Sequence, residues 1–261
     1  MDKEKLKSLG NDLKYIPSIY NYCDRWCERC PFTNRCLNYE ISEEHFADPE
    51  SRDINNELFW QKLSETFQAT LELVNEMMEE QGIDIDSDYI EEIKNEEKKI
   101  RETVDNHQLI ISAKEYSDMA KSWFELAEEL FLDKEIDLNK KAELDLPNEN
   151  PNKEAAAILD AVDVTMWYLH FIRVKLMRAL HGKLEDRFEI LDDFPKDSDG
   201  SAKVALIAID RSISAWGKMM NYFPDQEDEL LRILVKLEQL RRNGEEVFPN
   251  ARAFVRPGFD E

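Results

Sequence analysis

The chain has 261 residues, of which 42% are hydrophobic, and its 57 acidic and 34 basic side chains give a formal net charge of −23. This length and hydrophobic content are enough for a sizeable core, so the chain does not need a metal or a disulfide in order to fold. The negative charge repels phosphate backbones and anionic lipid surfaces, which argues against general nucleic-acid binding.

The pattern of apolar residues predicts an all-α helical bundle. Only seven glycines occur, strand-like alternation is scarce, and long windows carry apolar residues at three- and four-residue spacing. We expect the first long helix from about Ile54 to Glu80, ended by Gln81-Gly82, and a second helical region from Ser87 to about Leu132. The apolar stripe of the first helix consists of Leu58, Phe59, Leu63, Phe67, Leu71, Val74, Met77 and Met78.

The rest of the chain is predicted to form the centre of the bundle. A helix that is apolar on nearly every side is expected at 153–182, and such helices lie at the middle of a bundle. Further helices are expected at about 201–222 and 226–242, and the apolar tail at 247–257 should dock on them. The predicted organisation is a four-cysteine segment at 1–50, a helical hairpin at 51–132, a linker at 133–152, and a bundle core with docked tail at 153–261.

The predicted location is the cytoplasm. Residues 1–7 are charged and no apolar signal segment follows them. The most apolar stretch, 155–180, is interrupted by too many charges for a helix that faces lipid, so no membrane span is expected. Thiols stay reduced in this compartment, where clustered cysteines indicate metal or redox chemistry.

All four cysteines lie in one window with the pattern Cys23-x3-Cys27-x2-Cys30-x5-Cys36. Disulfides between neighbours would close very small, strained loops, so this density indicates a metal site formed by the four thiols. The cations of Arg25, Arg29 and Arg35 interleave the thiols. Cations in such positions are expected to lower thiol pKa values and to offset the charge of a tetrathiolate centre.

An α-helical arrangement of these cysteines is predicted from their spacing. Cys23, Cys27 and Cys30 would share one stripe of a helix that Pro31 ends. The fourth thiol, Cys36, would lie in the first turn of a new helix capped by Thr33, where the helix dipole favours a thiolate.

The spacing leaves the identity of the metal open. Structural zinc takes four thiolates in a tetrahedron with Zn–S distances of about 2.3 Å. A [4Fe-4S] cluster takes the same four ligands spread more widely. Free thiols or a redox disulfide are a third alternative. The cofactor is therefore expected to be either a [4Fe-4S] cluster or Zn²⁺, and His45 is expected to be a surface histidine because four cysteines already complete a site.

The run Cys27-Glu28-Arg29-Cys30-Pro31-Phe32-Thr33-Asn34-Arg35-Cys36 resembles part of the iron–sulfur staple of RecB-like nuclease domains, C-x2-C-P-F-x3-C. The resemblance covers about ten residues and implies ligand chemistry only. In that family the fourth cysteine is remote in sequence, whereas here it would be Cys23. No αβ nuclease core is recognised in the chain, so nuclease activity is not implied. The whole run from Tyr22 to Cys36 is also similar to a motif of uncharacterised bacterial proteins, which implies no activity.

A second candidate site lies in the predicted central helix. Asp160, Asp163 and His170 fall on one face of a segment rich in apolar residues, and Asp210 lies in the next helix. Buried carboxylates are costly unless they are paired. The four side chains therefore indicate either an acid/base or metal site of an enzyme, or a hydrogen-bonded structural network with Arg173 or Arg211. No Glu-x-x-His motif accompanies them, so a ferritin-like di-iron site is not expected.

The combined prediction is a metal-binding interaction or regulatory module. The acidic faces and the docked tail lead us to expect a protein partner or self-association. The alternative is an enzyme whose chemistry lies at Asp160, Asp163, His170 and Asp210. Catalytic residues are not assigned by the sequence.

Overall fold

The computed structural model describes residues 3–82, 87–144, 150–185 and 196–260. All regular elements in these ranges are helical, which confirms the all-α prediction. The α-helices are α1 (Lys3–Gly10), α2 (Leu37–His45), α3 (Glu57–Gln81), α4 (Ser87–Asp105), α5 (Gln108–Leu126), α6 (Glu128–Leu144), α7 (Pro151–Glu185), α8 (Asp197–Tyr222) and α9 (Glu227–Val247). Short 3-10 turns lie at Ile19–Asn21, Cys27–Arg29, Thr33–Arg35, Pro49–Arg52, Pro224–Gln226 and Ala251–Ala253.

The chain divides into two compact units. Unit 1 contains residues 1–98 and 255–261, and unit 2 contains residues 99–254. One boundary falls inside α4, so the predicted hairpin at 51–132 is shared between the units. The other falls within the predicted tail, whose last residues belong to the unit that carries the cysteines.

Unit 2 is built around α7 and α8. Helix α7 packs against α5, α6 and α8, and α8 packs in turn against α9. Tyr116, Tyr168 and Trp216 are completely buried, and burial of such large apolar surfaces is the main favourable term in folding. The central position predicted for the helix at 153–182 is therefore confirmed.

One face of α7 differs from the prediction. Leu159, Met166 and Val174 are each at least half exposed, so this helix is not enclosed on every side. The residues at these positions are apolar, and composition alone could not distinguish this face from the buried one. By length and composition α7 could also cross a membrane, but the core helix of a globular protein meets the same criteria.

The predicted linker at 133–152 is helical over residues 133–144, because α6 continues to Leu144. Leu138 is buried, and Lys134 forms an ion pair with Glu154 of α7 at 2.6 Å. These contacts with α7 outweigh the loop-like composition of the segment. The remainder of the predicted linker up to 149 lies outside the described residues, and α7 begins at Pro151, a favoured first helical residue.

Unit 1 contains the long helix α3. The side chain of Asn56 accepts a hydrogen bond from the Leu58 N–H at 3.0 Å and caps the start. Gly82, with φ of 66°, ends the helix as predicted. The predicted apolar stripe is present, but several of its residues are exposed rather than buried: Phe67, Leu71, Val74 and Met77.

The tail after α9 docks on α8 as predicted. Phe248 and Ala251 are buried, and Lys203 of α8 donates a hydrogen bond to the Phe254 carbonyl at 2.5 Å. The turn Ala251–Ala253 packs against α8. From Val255 onward, the chain belongs to unit 1.

Candidate metal centre

The cysteines lie on tight turns rather than on one α-helix. Cys23 follows the 3-10 turn Ile19–Asn21, Cys27 begins the next turn, and Cys30 follows it. Cys36 follows a third turn and is the N-cap residue of α2. The predicted helical stripe through the first three thiols is therefore wrong, and the fourth thiol lies just before the helix instead of in its first turn.

Arg25 explains why the predicted helix does not form. Its φ of 60° is in the left-handed region, which a continuous right-handed helix cannot contain. The carboxylate of Asp24 accepts a hydrogen bond from the Trp26 N–H at 3.2 Å. This side-chain turn of an aspartate is a local alternative to helical hydrogen bonding.

The turns bring all four cysteines to the wall of one cavity. Its empty volume is about 310 Å³, including some space that is open to solvent. Several aromatic and aliphatic side chains complete the wall: Ile19, Tyr20, Trp26, Tyr39 and Phe259. The structure thus brings together all four predicted ligands, although by a different local route from the predicted one.

Two hydrogen bonds hold sulfur atoms of this cavity. The Phe32 N–H donates to Cys30 Sγ at 3.4 Å. Cys23 Sγ donates to the Tyr20 carbonyl at 3.5 Å. The second bond needs the thiol proton, so it would be lost when Cys23 becomes a metal ligand.

The pKa of Cys27 is raised, whereas the sequence predicted that nearby arginines would lower thiol pKa values. Burial raises the pKa of the Cys27 thiol, and the neighbouring thiols Cys23, Cys36 and Cys30 raise it further. The expected lowering by arginine does not prevail here, and the Arg29 guanidinium instead stacks on the Trp26 ring at 3.9 Å. A bound metal reverses this preference because it coordinates the thiolate and displaces the proton.

The donor set fits a thiolate-bound metal group chemically. Within the described ranges, no three His, Cys, Asp or Glu side chains lie close enough together to hold a single ion. The four cysteines line one cavity, but they are not close enough together in this structure to hold a single ion.

His45 is buried, which contradicts the predicted surface position. Its side chain has 5% of its area exposed, and its Nε2 lies 2.9 Å from the Lys62 carbonyl oxygen of α3. His45 is not part of the cavity wall. It joins α2 to α3, and no apolar periodicity in the sequence around it indicated a buried position.

The predicted buried stripe on α7 lies at the surface. Asp163 and His170 are exposed, and Asp160 keeps 42% of its side-chain area exposed. Asp160 pairs with Lys218 of α8 at 3.4 Å, and His170 Nδ1 lies 3.2 Å from Ser117 Oγ of α5. The prediction that these groups are buried is wrong because the apolar residues around them occupy both the buried and the exposed faces of α7.

Asp210 and the predicted arginine partners belong to other contacts. Asp210 binds Arg252 of the docked tail at 2.6 Å. Arg173 lies 3.8 Å from Asp105, and Arg211 donates to the Tyr168 hydroxyl at 2.5 Å. The four candidate residues do not form one metal-binding group within the described part of the chain.

Phe259 is the most distant in sequence of the wall residues that sequence reasoning missed, which also include Ile19, Tyr20 and Tyr39. The tail was expected to dock on the bundle, but Phe259 lies among the cysteines of unit 1. The turn sequence Pro257-Gly258 before it is a local signal for a change of chain direction. Nothing in that signal shows which part of the protein the following aromatic ring will reach.

Comparison with protein families, with curated proteins and with solved structures finds no match to this chain.

Proposed function

We propose that the protein is a [4Fe-4S] protein whose ligands are Cys23, Cys27, Cys30 and Cys36. The observation that carries the proposal is that four cysteines from successive turns line a single cavity. The resemblance of Cys27–Cys36 to an iron–sulfur staple supports the same ligands.

The resemblance of Cys27–Cys36 to an iron–sulfur staple favours the cluster over zinc. A single zinc ion needs its four sulfurs at about 2.3 Å from one centre. In the described residues, no three candidate ligands lie close enough together to hold a single ion, so zinc would require the turns to contract. A [4Fe-4S] cluster takes four thiolates around a larger body.

The surroundings of the sulfurs also suit this group. A [4Fe-4S] cluster supplies one-electron redox chemistry or a structural brace. The Phe32 N–H on Cys30 Sγ would stabilise negative charge on that ligand, and hydrogen bonds of this kind raise cluster reduction potentials. Trp26 and Tyr39 line the cavity and would limit the access of water.

The proposed role is that of a cytoplasmic module that acts through a protein partner or through self-association. The net charge of −23 favours a partner with a cationic surface, whereas self-association would have to overcome repulsion between acidic copies. Sedimentation velocity of the purified protein, alone and at increasing salt, tests self-association. A single monomeric species at every salt concentration would exclude self-association, so that binding to a protein partner would be the remaining alternative.

Metal analysis of anaerobically purified protein tests the cluster. We expect iron and acid-labile sulfide in equal amounts, together with a broad visible absorption band. Cys27→Ser and Cys30→Ser should remove both iron and colour. Thr33→Ser is the matched control, because Thr33 lines the same cavity without providing a thiol. A colourless protein with one zinc and no sulfide would overturn the cluster in favour of structural zinc, and a protein without metal would overturn both.

A further inference from the structure

The four-cysteine cavity is completed by residues from the far end of the chain. Phe259 lies on its wall although more than 220 residues separate it from Cys36. Its ring packs edge-on against Phe32, with 5.1 Å between the ring centroids. Phe32 in turn donates its backbone N–H to Cys30 Sγ. Phe259 therefore contacts Phe32, the residue that is hydrogen-bonded to the candidate ligand Cys30.

The turn that carries Phe259 is held by several interactions. The guanidinium of Arg256 pairs with Asp260 at 2.8 Å, and the backbone N–H of Arg256 donates to the same carboxylate at 3.0 Å. The Arg256 side chain also lies over the Phe259 ring, 4.9 Å from its centroid. Both members of the ion pair are largely shielded from solvent, with side-chain exposures of 14% and 21%.

The turn also approaches the rest of unit 1 very closely. Gly258 has φ of +75°, and a Cβ at this position would lie 2.8 Å from Ile16 Cδ1 and 3.2 Å from Ile19 Cδ1. Ile19 is itself a wall residue of the cavity. The positive φ favours glycine, and a larger residue would also have to displace the end of the Ile16 side chain, so the turn lies closely against the N-terminal residues of unit 1.

We infer that the segment 255–260 covers the candidate metal centre and that Phe259 positions the turn that carries Cys30. Phe259 limits the access of solvent and small oxidants to the four sulfurs. Through its contact with Phe32 it also stabilises the turn whose N–H is hydrogen-bonded to Cys30 Sγ. The inference rests on the proposed metal-binding function for its biological meaning, but the closure of the cavity is a property of the protein that can be measured without metal.

The test is the rate of thiol alkylation in metal-free, reduced protein. Iodoacetamide labelling followed by peptide mass spectrometry gives a separate rate for Cys23, Cys27, Cys30 and Cys36. We expect Phe259→Ala to raise these rates severalfold and Phe259→Leu, which retains a smaller apolar side chain, to give rates between those of Phe259→Ala and wild type. Val255→Ala is the matched control because Val255 belongs to the same segment and is exposed.

A second measurement uses the metal-loaded protein. After anaerobic loading, Phe259→Ala should start with the same metal content as wild type and lose it severalfold faster in air.

Equal alkylation rates in wild type and Phe259→Ala would overturn the inference, whichever metal is found. Failure of the wild type to bind iron or zinc would overturn the proposed function and leave the alkylation result to decide the cover. Circular dichroism shows whether Phe259→Ala folds. If it does not, Phe259→Leu is compared with wild type instead. The smaller leucine side chain leaves more of the cavity open, so the four thiols should be labelled faster than in wild type, and identical rates would count against the inference.

Discussion

Arg252 forms a two-pronged contact with Asp210. The Nη1–Oδ2 distance is 2.6 Å, and the Nη2–Oδ1 distance is 3.2 Å. The contact joins the turn Ala251–Ala253 to α8, and Arg252 also lies 2.8 Å from Glu245 of α9. Asp210, which the sequence suggested as a catalytic or metal-binding group, is therefore a docking point for the tail.

A double-mutant cycle measures this contact. Arg252→Ala, Asp210→Ala and the double variant should give a coupling of about 0.5–1 kcal/mol in the free energy of unfolding, since the pair is partly exposed but has two-pronged geometry. Urea denaturation followed by circular dichroism supplies the values. The matched control is the more exposed pair Arg232–Glu229 at 3.7 Å, for which we expect a coupling near zero. Equal coupling for both pairs would contradict a specific role for Arg252.

Asp163 should be replaceable without loss of stability. Because its side chain is exposed, Asp163→Asn is expected to change the free energy of unfolding by less than about 0.5 kcal/mol. The same new side chain on the buried face, in Ala161→Asn, should prevent stable folding, because Ala161 is completely buried. Thermal melts of the two variants provide the comparison. A large loss of stability for Asp163→Asn would restore the prediction of a buried stripe.

The contrast between these two positions shows what could be predicted about the fold. The all-α class and the central position of α7 followed from apolar spacing. The orientation of α7 did not, because Leu159, Met166 and Val174 are as apolar as the buried residues, and only packing decides which face is enclosed. In the same way, α6 has the composition of a loop and is stabilised as a helix by its contacts with α7.

At the candidate metal centre, the grouping of the four thiols was predictable and their local geometry was not. The density of thiols pointed to Cys23, Cys27, Cys30 and Cys36 without any knowledge of the fold. The left-handed conformation of Arg25, a residue that normally avoids it, depends on the surrounding turns. The position of Phe259 depends on a contact between residues distant in sequence, which no local pattern encodes.

Tyr116 and Trp216 provide a test of the core of unit 2. Trp216 Nε1 donates to the Tyr116 hydroxyl at 3.2 Å, and both side chains are completely buried. Tyr116→Phe removes the acceptor and leaves a buried N–H unpaired, so we expect a loss of about 1–3 kcal/mol in stability. The control is Tyr222→Phe, which should cost less than about 0.5 kcal/mol because Tyr222 is only partly buried. Urea denaturation of the two variants distinguishes loss of this bond from a general effect of the substitution.

His107 should make stability depend on pH. It caps α5 by accepting a hydrogen bond at Nδ1 from the Leu109 N–H at 3.1 Å, which requires an unprotonated Nδ1. Burial, and then the charge of Lys183, lower the pKa of His107. Because the folded state binds the proton less readily, this contribution is complete above the ordinary histidine pKa of about 6.5 and is lost as the pH falls through the lower folded value.

His107→Asn separates this effect from the titration of carboxylates. Asparagine keeps a capping oxygen but does not titrate in this range. Unfolding free energies at several pH values between 7.5 and 5 should therefore fall less steeply for the variant than for wild type. Parallel curves would show that His107 is not the group responsible.

The placement of residues 255–260 in unit 1 imposes an order on biosynthesis. A ribosome completes all of unit 2 before it supplies Gly258 and Phe259, so the four thiols are synthesised long before the Phe259 ring that lines their cavity. A nascent chain stalled before Val255 would therefore present these thiols without that aromatic neighbour.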